Sequence, residues 1–241
     1  MKISVIVPAF NEEKLIADSL RSVQASFVAF ARAGWETEII VCDNNSTDRT
    51  AELARAAGAT VVFEPVNQIG RARNRGAEAA TGNWLVFIDA DSYPSPGLFG
   101  EVAAAIQTGQ CLAGGCLMQM AAGNLTARMG VQIWNLISRI TRWAPGSFIF
   151  CETAAFRGVG GFNLDLFVTE EIDLSQRFKI LARQRGRKMV ILRRHPLETS
   201  ARKLQLYSVR EILSFLAGMI FRPRRTSKNR AACQPWYDGR R

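Results

Sequence analysis

The sequence predicts an α/β protein whose central sheet is mostly parallel and flanked by helices, and three observations carry that reading. Short apolar runs alternate with amphipathic stretches through the first hundred or so residues, turn residues close most of the runs, and acids or amides stand directly after the strand-like segments. Residues 3–7 form an apolar run ended by Pro8, after which Ile16, Leu20, Val23, Phe27 and Phe30 recur at helical spacing. Residues 39–42 read as a second strand. Ser46 or Thr47 then caps a helix through Ala57, Gly58 ends it, and residues 60–63 are a third strand. Next come a helix over 70–81, a strand over 84–88 and a helix over 95–108. Such β-α-β-α-β alternation implies parallel strands with helices on both faces, and ligands in these sheets bind outside the carboxyl ends of the strands. Asn11, Asp43, Asp89 and Asp91 all belong at that edge.

Beyond about residue 110 the alternation weakens. Residues 112–120 and 147–151 read as strands, separated by an amphipathic stretch carrying Ile133, Ile137, Ile140, Trp134 and Trp143. A helix over 170–185 and a strand over 189–192 follow. The helical stripe Val209, Ile212, Leu213, Leu216 and Ile220 precedes a basic tail. That stripe reads either as a helix packed on the core or as an amphipathic helix lying on a membrane.

With 241 residues, 48% of them hydrophobic, the chain can bury a substantial core. Its charge is lopsided: residues 1–121 hold 9 basic and 13 acidic side chains, residues 122–241 hold 22 and 8. The basic half calls for a polyanionic partner. Single-strand-binding aromatics, helix-turn-helix patterns and zinc motifs are missing, so an anionic membrane surface or a phosphate-bearing substrate is expected and nucleic acid is not. Five cysteines without a Cys-x-x-Cys pair suit reduced thiols and a cytoplasmic protein. The opening residues are too short an apolar run for a signal peptide, and no run approaches the ~20 residues of a spanning helix, so membrane attachment would be peripheral, at the inner face.

The chemistry concentrates in four places. Asp89 and Asp91 end an apolar strand, and two carboxylates so close repel unless a hard divalent cation sits between them. Asp43 opens the cluster Asp43-Asn44-Asn45-Ser46-Thr47-Asp48, which reads as a capped tight turn or as an acceptor for a base N–H, uracil or guanine. Arg71, Arg73 and Arg75 stand together near a helix start, either solvated or at phosphate. Glu170 and Glu171 open a helix, where acids complement its dipole.

Together these segments resemble bacterial glycosyltransferase family 2, with its GT-A fold. The resemblance rests on Ser4-Val5-Ile6-Val7-Pro8-Ala9-Phe10-Asn11-Glu12-Glu13, the Asp43–Asp48 cluster, Ala72-Arg73-Asn74-x-Gly76, Asp89-Ala90-Asp91, and Gly160-Gly161-Phe162 followed by Glu170-Glu171. It implies an inverting, metal-dependent transferase using a nucleotide-diphosphate sugar, UDP-linked by preference, and a glycan or lipid-linked acceptor. Donor contacts fall to Pro8, Asn11, Glu12, Asp43, Arg71, Arg73 and Asp89. Asp91 holds Mn2+ or Mg2+, with Asp89 and His195 as further candidate ligands. Glu171 takes the place of the acceptor's general base, with Glu170 as the fallback. Thr199-Ser200-Ala201-Arg202-Lys203 resembles a Ser-x-Arg element of small members, placing Ser200 and Arg202 over the diphosphate. Gln176 is followed directly by Arg177 without the Gln-x-x-Arg-Trp of processive synthases, which argues for one sugar per encounter. The expected organisation is a catalytic domain over 1–203, with a nucleotide-binding half (1–110) and an acceptor half (111–203), then a helix and tail over 204–241.

Two other functions stay in view. A catalytically silent, membrane-associated nucleotide-sugar-binding partner is kept alive by Glu171 standing where the family usually has Asp. A nucleotidyltransferase ranks below it, because Pro8-Ala9-Phe10-Asn11 lacks the Gly and Lys of a phosphate loop. A dinucleotide-dependent oxidoreductase is set aside, since no Gly-x-Gly-x-x-Gly follows the first strand.

Overall fold

A computed structural model describes residues 1–120, 125–200 and 227–233. The strands are β1 (Lys2–Ala9), β2 (Glu36–Asp43), β3 (Thr60–Phe63), β4 (Trp84–Ile88), β5 (Ser92–Tyr93), β6 (Cys111–Met120), β7 (Phe148–Glu152) and β8 (Lys188–Thr199). The helices are α1 (Ile16–Ser26), α2 (Val28–Arg32), α3 (Thr50–Ala56), α4 (Ile69–Ala79), α5 (Pro96–Gln107), α6 (Leu125–Thr141), α7 (Thr153–Gly158) and α8 (Glu170–Gln184). A short 3-10 turn, Arg230–Cys233, completes the described chain. The predicted helix and basic tail over 204–241 lie outside the described residues except for 227–233, as does Arg202.

The strands form one sheet in the order β3-β2-β1-β4-β7-β6-β8-β5. β3, β2, β1 and β4 run parallel, as alternation with helices demands, with Ala9 opposite Asp43 at the carboxyl edge. β7 lies antiparallel to both β4 and β6, while β6 and β8 are parallel. Each β1 side chain alternates between two cores. Ile3, Val5 and Val7 meet α1, α2 and α5 through Leu20, Phe30 and Phe99, while Ile6 on the other face meets α4, α7 and α8 through Ala77, Phe156 and Phe178.

The single helix expected over residues 16–30 is broken at Phe27, whose N–H reaches only to Gln24 O. Ser26 Oγ donates back to Ser22 O, a bond that bends helices. α3 begins at Thr50 instead of near Ser46, because Ser46 and Thr47 are engaged by the β1–α1 loop. β8 runs well past the expected residue 192. Cys116 pairs with Leu192 and Met118 with Leu197, so Arg193–Pro196 bulge out against a single partner residue and accommodate Pro196, which has no N–H for the ladder.

Candidate active site

The carboxyl edge of β1, β2 and β4 is held by loop-to-loop hydrogen bonds. Asn11 adopts φ 53, a left-handed conformation that Asn tolerates, which turns its side chain to accept from Thr47 N at 2.8 Å while its own N–H donates to Ser46 Oγ at 3.0 Å. Glu12 N donates to Thr50 Oγ1 at 2.7 Å. Asp43 is 7% exposed and accepts from Ser46 N at 3.0 Å, so the capped-turn role expected for it is present. Asn44 extends the brace: its Nδ2 donates to Glu64 O and Val66 O, and its Oδ1 accepts from Gln68 N at 2.9 Å.

Arg73 is the hub. Only 1% exposed, it donates through Nη1 to Glu170 Oε1 at 2.8 Å and through Nη2 to Asp89 Oδ1 at 2.9 Å and Gly146 O at 2.7 Å, and its guanidinium carbon lies 5.2 Å from the Phe162 ring centroid. A planar fork reaches two acids and a carbonyl at once where an ammonium cannot. This corrects the expectation that Arg73 meets the donor's phosphates. It lies beneath the site and fixes the acids, and its buried Nε has no partner. Arg71 is half-buried, with Nε donating to Gln68 Oε1 at 3.0 Å, and Arg75 is exposed and paired with Glu78. The three arginines therefore have three different surroundings.

Glu170 and Glu171 open α8. Burial pushes the Glu170 carboxyl well above the usual range and the adjacent Glu171 pushes it further, outweighing Arg73. Glu171 is raised chiefly by burial too, while Arg73 and a hydrogen bond to Glu170 hold it back. Burial raises both carboxyls, and the hydrogen bond between them raises Glu170 while it holds Glu171 back, so Glu171 is the more readily ionised member of the pair. Glu170 is 4% exposed and Glu171 is half-buried beside Gly146, which places the fallback acid behind the better-exposed one.

The motif glycines and Asn74 build this arrangement. Asn74 exchanges two hydrogen bonds with the Phe162 backbone, both 2.9 Å, and Gly161, at φ +68, lies where a Cβ would approach Asn74 Oδ1 to 2.7 Å. A Cβ on Gly76 would stand 2.5 Å from Ile6 Cγ2, so α4 packs against β1 only without one. Gln68, Asn74 and Gly146 were not among the sequence candidates. Asn74 and Gly76 stood inside a recognised motif, whereas Gly146 acts through its carbonyl and leaves no side-chain signal.

Asp91 is buried, and its carbonyl accepts from Ser200 N at 3.1 Å, which ties the end of β8 to the loop after β4. Pro8 lies in β1 beside Cys42. His195 departs from the expected metal set. Its Nδ1 meets Glu101 Oε1 at 2.9 Å, its ring lies against Gly97, and Glu101 also accepts from the backbone N–H groups of the bulge. It serves the bulge that Pro196 requires, and among the described residues no group of three or more His, Cys, Asp or Glu side chains is placed to hold a metal.

Residues 4–157 match the model of glycosyl transferase family 2, and the chain belongs to that family. An uncharacterized glycosyltransferase of Mycobacterium tuberculosis is 36% identical over 141 residues, 57% of this chain and 60% of that protein. Undecaprenyl-phosphate 4-deoxy-4-formamido-L-arabinose transferase of Pseudomonas aeruginosa is 35% identical over 39% of this chain and 29% of its own. The matches thus take in less than two thirds of these relatives. Among solved structures, Staphylococcus aureus TarS 1–349 with UDP-GlcNAc superposes with a TM-score of 0.65 at 22% identity over 98% of this chain and 70% of that one. The mannosyltransferase of Pyrobaculum calidifontis with GDP-Man and Mn2+ gives 0.67 at 17% over 98% and 67%. The fold is GT-A.

Proposed function

We propose that this chain transfers a sugar from a nucleotide-diphosphate donor, UDP-linked by preference, to a glycan or lipid-linked acceptor, with inversion and one sugar per encounter. The observation that carries this reading is Arg73 bridging Asp89, at the end of β4, to Glu170, at the start of α8. The guanidinium ties the strand-end acids on the donor side to the acid pair on the acceptor side, so the two halves of a displacement are set in one geometry. For a hydroxyl acceptor, the Glu171 carboxylate takes the O–H proton as the acceptor oxygen bonds to the sugar's anomeric carbon. The bond from that carbon to the phosphate oxygen breaks, and its electron pair leaves with the nucleoside diphosphate. A single displacement of this kind inverts the centre.

Asp43, at the carboxyl edge of β2, is positioned to accept from a base N–H, with Asn11, Pro8 and Glu12 shaping the same pocket and Arg71 and Ser200 flanking the diphosphate. Asp91 is the residue to hold the metal. One carboxylate suits Mn2+ or Mg2+ completed by substrate phosphates and water, which is the ligand set that Asp91 at this sheet edge would join. When bound, the ion offsets charge on the departing diphosphate. Single transfer is consistent with Arg177 being bound to Asp173 and to the carbonyls of Val159 and Gly161, which spends it on the fold.

Thermal unfolding with UDP, GDP, CDP and dTDP, each with Mn2+ and with a chelator, tests the reading. A native-only ligand at a hundredfold excess over its Kd stabilises by ~2.7 kcal/mol. A metal-dependent shift with UDP that Asp91→Ala abolishes is the expected result. The absence of a shift with all four nucleotides rejects the donor site. A shift without turnover in a single-turnover assay transfers weight to a silent binding partner.

A further inference from the structure

We infer that α6 docks this protein on an anionic lipid surface, with its outward face as the contact. The helix is amphipathic in the reverse of the usual sense. Its two buried side chains among the described residues are polar: Asn135 brackets Met118 with both amide atoms, at 3.0 and 2.9 Å, and the fully buried Ser138 donates to Trp143 O at 2.7 Å. Its outward side carries Met129, Ile133, Leu136 and Ile140 at 55, 59, 57 and 74% exposure, spaced four, three and four residues apart along one stripe. Water does not favour that arrangement, and a contiguous apolar stripe of this kind marks a partner.

Charge selects the partner. No Asp or Glu occurs between Glu101 and Glu152, while Arg128 and Arg139 stand exposed about a quarter turn from the stripe and Arg142 follows the helix. Apolar residues on one face with arginines at its margin are the composition of a helix lying at the headgroup level of an anionic bilayer, its arginines reaching the lipid phosphates. A protein partner with an acidic rim would meet the same charges, but the apolar stripe lacks the aromatic anchors of such interfaces. The loop leaving α6 carries Gly146, whose carbonyl binds Arg73, and Ser147, whose carbonyl accepts from Asp89 N at 3.3 Å. A bilayer under α6 thus borders the site and delivers a lipid-linked acceptor to it. That consequence rests on the proposed transferase reading, whereas the docking itself does not.

The full chain bearing Ile133→Cys, labelled with an environment-sensitive fluorophore, reads the contact directly, since the five native cysteines are buried. It is mixed with vesicles of phosphatidylcholine, or of phosphatidylcholine with phosphatidylglycerol, at low and high salt. The expected result is water-like emission in buffer, a blue shift on the anionic vesicles only, and loss of that shift at high salt. In co-sedimentation, Ile133→Glu with Ile140→Glu lowers partitioning about tenfold or more, and Arg128→Gln with Arg139→Gln lowers it about thirtyfold, each arginine adding roughly 1 kcal/mol of attraction. Water-like emission throughout overturns the proposal. So does emission already blue-shifted without vesicles, which assigns the stripe to residues 201–226 or, if sedimentation shows dimers, to a second copy. Vesicle binding that ignores the substitutions also overturns it. Because these variants leave Asp91 and Glu171 in place, a nucleotide-induced thermal shift separates failure of the donor site from failure of the docking face.

Discussion

At the scale of single residues, the site turns on which acid carries charge. Glu171, the more readily ionised member of the pair, is the expected base, so Glu171→Gln should lower kcat by about 10²–10⁴ while the thermal shift given by donor and metal persists. Glu170→Gln keeps a hydrogen-bonding group against Arg73 and should cost less turnover; equal losses would move the base to Glu170. Since burial raises Glu171 above the ordinary 4.5, and a base works only when deprotonated, kcat should climb with pH along a limb lying above that value. A pH–rate profile under donor saturation checks the limb, and one centred at or below 4.5 would refute the assignment. Arg73→Gln strips the countercharge from Asp89 and the Glu170–Glu171 pair and should cost about 3–5 kcal/mol in urea unfolding at neutral pH. Protonation of the Glu170–Glu171 pair, whose carboxyls burial raises, relieves the unpaired charge, so the deficit should shrink as the pH falls; a deficit independent of pH would argue that packing against Phe162 is what was lost.

At the scale of elements, close packing between α4 and β1 and an ion network at the amino edge of the sheet are the features to test. Gly76→Ala places a methyl against Ile6 Cγ2, in a core where Ile6 has no room to retreat, and should lower stability by about 1–3 kcal/mol. Unchanged melting of that variant would mean α4 slides freely on β1. Glu38 joins β2 to β1 and to the loop before β4. Burial alone would raise its pKa, yet hydrogen bonds from Lys2, Ser4 and Thr81 hold it down to about 2. A carboxyl depressed on folding contributes stability above its unfolded value and loses it as pH falls from 4.5 toward about 2. Glu38→Gln should therefore flatten the acid limb of stability in that window, with a loss of about 1–2 kcal/mol at neutral pH after screening. An acid limb of unaltered shape would remove this network as its source.

At the scale of the whole molecule, one sheet stitches the chain's two halves together. β7 lies between β4 and β6, and β5 from the first half pairs with β8 from the second, Ser92 opposite Thr199. Residues 1–110 alone would expose the β4 edge along Leu85, Val86 and Phe87, each fully buried in the intact protein, and should fail to fold; dispersed amide resonances from that fragment would show an independent half. This interleaving also marks the border of what could be read in advance. The alternation of apolar runs and helical stripes, the strand ends bearing Asn11, Asp43, Asp89 and Asp91, and the acid pair opening α8 were determined by the sequence itself. Each is written in a period of two or 3.6 residues or at a strand terminus, and parallel β-α-β connections admit one arrangement of those ends. Only the tertiary structure decided that Arg73 serves acids and not phosphate, that Glu170 stands behind Glu171, that His195 belongs to the bulge around Pro196, and that α6 turns its apolar side outward. Arg73 meets Glu170 97 positions away and Gly146 73 away, and His195 meets Glu101 94 away. A local pattern fixes which face a residue occupies, but the partner found on that face is chosen by packing and charge across the whole fold.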